Sequence, residues 1–97
     1  MGMYYDMEGK EISVDKWMRL FAKPRQIAID LLPNGINVST VWLGIDHGIG
    51  VGEPMIFETM VFPQDSWDDM ECERYSTKKE ARAGHEVLVK KYKRLEK

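Results

Sequence analysis

Glu58, His47, His85 and Cys72 are the side chains of this sequence whose types and settings could do chemistry. Glu58 is the only ionisable residue in the apolar run Met55–Phe62, MIFETMVF. A carboxylate buried there is costly unless it is paired or protonated. It is therefore either a structural group bonded to Arg74, Tyr75 or a backbone amide, or a general base or metal ligand. On a strand, Ile56, Met60 and Phe62 share its face, and Phe57, Thr59 and Val61 take the other. His47 follows Asp46 and opens a loop with glycines at 48, 50 and 52, a spacing that lets backbone approach a ligand closely. Phosphate-cradling loops lead into a helix, whereas here a strand follows Glu53-Pro54. The loop is either a plain connection or a partner-binding tip.

His85 sits on the apolar face of a helix, where a lone histidine is more often a core residue bonded to a carbonyl or carboxylate. Glu58, His47 and His85, or Asp46 in place of Glu58, are donor types that suit zinc. The 38-position spacing of the two histidines matches no short metal motif. Cys72 has Arg74 on its own side of a strand, but Glu71 and Glu73 crowd it and oppose a thiolate. No residue is assigned a catalytic role, and no cofactor is implied.

The elements that must position these groups follow from periodicity. Tyr4–Asp6 reads as a short strand running into a glycine turn, with Glu11-Ile12 returning. Ser13 is a helix N-cap, and Val14, Trp17, Leu20 and Phe21 recur at helical spacing until Pro24. Gln26–Leu32 alternates, with Ile27, Ile29 and Leu31 on one side and Gln26, Ala28 and Asp30 on the other. Asn34-Gly35 supplies a hairpin turn. Strands over Ile36–Ile45 and Met55–Phe62 complete a meander of three long antiparallel strands, and Glu71–Tyr75 adds a short edge strand. Thr77 and Glu80 match a capping box. Ala81, His85, Leu88, Tyr92 and Leu95 then form the apolar stripe of a long amphipathic helix that covers one face of the sheet. The expected class is α+β: a short N-terminal helix, the meander with short edge strands, and the C-terminal helix, in one domain spanning 1–97.

Composition narrows the function classes. Ninety-seven residues with 43% apolar and 31% charged side chains suit a globular domain rather than a disordered or membrane-spanning chain. The N-terminus has no basic segment leading into an apolar one, so no secretory signal is expected. A lone cysteine suits a reducing compartment. Between Asp46 and Glu73 there are eight acids and no Lys or Arg, whereas Thr77–Lys97 holds eight bases and three acids. Nucleic-acid binders usually pair a basic patch with a high pI; here the pI is about 5.7, which disfavours nucleic acid as a partner.

In order along the chain, YYDMEGKEIS (4–13), VSTVWLGIDH (38–47), FETMVF (57–62), ERYST (73–77) and EARAGH (80–85) resemble a family of small uncharacterised proteins encoded in tailed-phage and prophage genomes. The likeness runs from Tyr4 to about Val89. No activity is attached to the family. The resemblance implies an accessory protein in the cytoplasm of a bacterial host, of the kind that serves host takeover or inhibits host defences, CRISPR nucleases included.

The favoured expectation is a non-enzymatic protein that binds a host protein stoichiometrically. Its contact residues would be Trp67 with Asp65, Asp68 and Asp69 around it, and His47 at the loop tip, because an aromatic anchor ringed by charge makes a typical hot spot. The acidic stretch could imitate phosphate charge in a basic channel. The alternative is a small-molecule or metal site, with enzymatic activity as one form of it, built from Glu58, His47 and His85 in a sheet–helix cleft. A homodimer through a sheet edge or the long helix is compatible with either.

Overall fold

The computed structural model describes residues 3–46, 53–64 and 70–94. Helix α1 (Val14–Phe21) precedes strands β1 (Gln26–Leu31), β2 (Asn37–Trp42), β3 (Phe57–Phe62) and β4 (Glu71–Tyr75), and helix α2 (Lys78–Lys93) follows. The strands form an antiparallel sheet in the order β1-β2-β3-β4, so the α+β meander is borne out and Glu71–Tyr75 is its fourth strand. The caps are those the sequence calls for. The Ser13 hydroxyl accepts from the Lys16 amide at 3.2 Å and the Thr77 hydroxyl from the Glu80 amide at 3.1 Å, each pairing a donor the first helical turn leaves open.

One face of the sheet is set by the pairs Val38–Val61, Thr40–Thr59 and Trp42–Phe57, all fully buried. Period-two alternation brings these side chains to the same side. Helix α2 lies over them with Ala81, His85, Leu88 and Tyr92 facing inward, and touches all four strands. At the other end of the core, Trp17, Leu20 and Phe21 of α1 pack against Trp42, Ile56 and Phe57. Tyr4, Trp17, Phe21 and Trp42 form a run of tilted rings with centroids 5.0, 4.6 and 6.3 Å apart. The Trp17 indole donates to the Leu43 carbonyl at 2.9 Å, which fixes α1 to the end of β2.

Three local expectations change. Strand β2 stops at Trp42 rather than Ile45, because Gly44 takes a positive φ of 70° beneath the Trp42 and Trp17 rings, where a Cβ would overlap both. Ile45 instead bridges to Tyr4. Strand β3 starts at Phe57, so Ile56 lies outside it and packs with Trp42 and Phe57 instead of sharing Glu58's face. The apolar side of β1 is split: the register shifts between Gln26 and Ala28. That irregularity sends Ile27 to the Trp42 cluster, while Ile29 and Leu31, opposite Ser39 and Asn37, face away from α2 and are 55% and 74% exposed.

Candidate functional site

The two described members of the expected Glu58–His47–His85 site lie on opposite faces of the sheet. His85 reaches from α2 onto the buried face, where its Nδ1 is 2.7 Å from the Thr40 hydroxyl. Thr40 is in turn 2.5 Å from the Thr59 hydroxyl. Glu58 is the neighbour of Thr59 along β3, so its carboxylate points to the other side. The cleft that would join Glu58 to His85 is filled by the strand that carries Glu58.

Each group has its own structural partners. Glu58 is paired across the strands with Arg74, as the register dictates, at 3.0 Å. It also accepts from the Cys72 thiol at 3.3 Å. Of the structural partners considered for Glu58, Arg74 is the one observed, and a guanidinium on the adjacent strand compensates a carboxylate that is 8% exposed.

His85 is also bonded to a carboxylate: its Nε2 lies 2.7 Å from Oδ2 of Asp30, on β1. Thr59 continues the line through a hydrogen bond with the Tyr75 phenol. Asp30, His85, Thr40, Thr59 and Tyr75 thus form one hydrogen-bonded relay crossing β1, α2, β2, β3 and β4. Burial holds the Tyr75 phenol above its ordinary value, and the bond with Thr59 offsets part of that rise. Gly84 makes the end of the relay possible, because a Cβ there would overlap the Tyr75 hydroxyl and ring. Thr40 and Thr59 are fully buried. A hydroxyl so placed cannot meet a substrate, so the histidine beside it is not arranged to activate a nucleophile.

A second tie joins β4 to α2. Glu71 Oε1 accepts from Lys91 at 2.7 Å and from the Tyr92 hydroxyl at 2.8 Å. The Lys91 ammonium and then the Tyr92 hydroxyl hold the Glu71 carboxyl below its ordinary value. Burial raises the Tyr92 phenol, and its bond to Glu71 adds to the rise.

The partner-binding candidates His47, Asp65, Trp67, Asp68 and Asp69 lie outside the described residues. A groove of about 260 Å³ between the N-terminal turn and the end of α1 is lined by Asp6, Met7, Glu8, Leu20, Lys23, Pro24 and Trp42, and neither Glu58 nor His85 reaches it. Among the described residues no helix is long and apolar enough to cross a membrane.

Asp30, Thr40 and Thr59 are members of the His85 network that sequence reasoning did not pick out. Asp30 sits in an alternating strand, where a carboxylate reads as solvent-facing, and the threonines read as ordinary β-formers. A usable signal was the pair of threonines at the centres of two strands expected to be neighbours, since paired buried hydroxyls need a further partner.

Comparison with family models, curated proteins and solved structures found no match to this chain.

Proposed function

We propose that this protein acts without catalysis, by stoichiometric binding to a host protein inside a bacterial cell, as an accessory factor of the phage type. The observation that carries the reading is the face of the sheet opposite α2. There Ile29 and Leu31 lie exposed on edge strand β1, with half-buried Met60 and Phe62 two strands away in the same cross-strand rows. Ile29 and Leu31 are neighbours on one strand, and exposed apolar side chains grouped in this way favour a partner, whereas apolar residues scattered singly do not. Among the described residues β1 pairs only with β2, which leaves its other edge available for strand addition. The reading is further supported by Glu58 being paired to Arg74 and His85 being bonded at both ring nitrogens.

The binding surface proposed is thus the sheet face at β1, and the acidic stretch 65–69 is kept as a separate candidate contact. The test is affinity capture of the tagged protein from bacterial lysate, beside a Leu31→Lys variant and an Asp65, Asp68, Asp69 charge-reversal variant. One stoichiometric host protein, lost with Leu31→Lys, is the expected result. Capture that is indifferent to Leu31→Lys removes the β1 face, and loss only in the acidic variant transfers the contact to residues 65–69.

A further inference from the structure

We infer that Asp30, His85 and Glu86 form a binding site for a divalent transition-metal ion, with Zn²⁺ as its reference ligand. One donor atom from each, an imidazole nitrogen and two carboxylate oxygens, lies within 4.8 Å of the other two. Tetrahedral Zn²⁺, with ligands about 2.0–2.2 Å away, needs donors about 3.4 Å apart. Side-chain torsions of the two exposed carboxylates would set that spacing, moving Asp30 Oδ2 out from its 2.7 Å, because the third donor is held still.

That third donor is what separates the cluster from ordinary surface acids. His85 is fully packed, and its orientation is set from behind by the Thr40 hydroxyl at 2.7 Å from Nδ1. Metal-binding histidines characteristically have the second ring nitrogen hydrogen-bonded in this way, which fixes the tautomer and aims the first nitrogen. With an ion bound, Nδ1–H would donate to Thr40 and leave the Nε2 lone pair for the metal. The ion takes the place of the proton now shared between Nε2 and Asp30 Oδ2 at 2.7 Å.

Access and charge also fit. The Asp30 side chain is 49% exposed and Glu86 is exposed, so the ion enters from solvent. The Glu86 side chain has no hydrogen bond or ion pair to another described residue. Two carboxylates neutralise a divalent ion, and the imidazole favours zinc and its transition-metal neighbours over Mg²⁺ and Ca²⁺, which prefer oxygen. Three protein ligands leave a coordination position for water or for a group from a partner. The bound ion would clamp edge strand β1 to α2, close to the surface proposed for binding. The site does not depend on that proposal.

The test is calorimetric titration of the chelator-stripped full chain with Zn²⁺, and with Mg²⁺ for comparison. Asp30→Asn and Glu86→Gln are the site variants, and His47→Ala and Cys72→Ser control for the other zinc-type donors. The expected result is one saturable equivalent of Zn²⁺ and none of Mg²⁺. Affinity should fall at least about tenfold in each site variant and stay unchanged in both controls. Glu86 is on the surface, so Glu86→Gln keeps the test sound even if Asp30→Asn disturbs the fold. Absence of a saturable equivalent, binding that survives in Glu86→Gln, or binding lost in His47→Ala or Cys72→Ser would overturn the assignment.

Discussion

Replacing Thr40 with valine removes one hydroxyl and preserves shape, so it isolates the relay from packing. That hydroxyl lies 2.7 Å from His85 Nδ1 and 2.5 Å from Thr59 Oγ1, with all three residues buried. Valine strands the imidazole nitrogen, and an unsatisfied buried polar group costs about 1–3 kcal/mol. The lost bond to Thr59 adds about 1 kcal/mol, while Thr59 keeps its bond with Tyr75. The expected loss is about 2–4 kcal/mol, a large share of the about 5–15 kcal/mol that a domain has in total. Urea denaturation followed by tryptophan fluorescence measures it, given the two-state unfolding usual at this size. Thr40→Ser is the matched control: it keeps the hydroxyl and loses one methyl, for about 1 kcal/mol. If Thr40→Val costs less than about 1 kcal/mol, or no more than Thr40→Ser, the relay is not a stabilising network and the argument for it fails.

Other perturbations probe the remaining ties. Gly84→Ala forces a Cβ into the Tyr75 ring, and overpacking of about 1–3 kcal/mol outweighs the helix-propensity gain of up to about 1 kcal/mol. A rise in melting temperature would show that Tyr75 does not seat against α2. Trp42→Ala and Phe57→Ala each empty a fully buried site and should cost about 3–5 kcal/mol; near-native thermal stability in either would contradict its place in the core. Because Glu71 is held below its ordinary value of 4.5, its pairing contributes stability that is complete above that value. The contribution is lost as pH falls from there through the lowered folded value. Glu71→Gln should therefore be less stable near neutrality and lose less stability on acidification than the parent. Parallel acid-unfolding curves for the two would refute the pairing.

The sheet and the two helices were legible because each element carries its own periodicity and its own stop signal. Ser13 and Pro24 bound α1, Asn34-Gly35 turns β1 into β2, and Thr77 caps α2. The β1 irregularity was not legible. Ile27, Ile29 and Leu31 alternate as if they shared a buried face, and only the register against β2 shows that two of them are turned outward. The relation of Glu58 to His85 was illegible for a similar reason. Their types suit one site, but the parity of Glu58 against Thr59, together with the face that α2 covers, decides that they cannot meet. Arg74 was legible as a partner of Glu58 because β4 is short and its register leaves few choices. Asp30 was not, because its partner arrives from a helix 55 residues further along the chain.

Amide hydrogen exchange on the protein with and without its captured host partner tests the central proposal most directly. Binding at the β1 sheet face predicts slowed exchange in Gln26–Leu31, whose outward amides have no strand beside them among the described residues, with α2 unchanged. Slowing confined to α2 or to residues 64–70, with β1 exchanging as in the free protein, would contradict it.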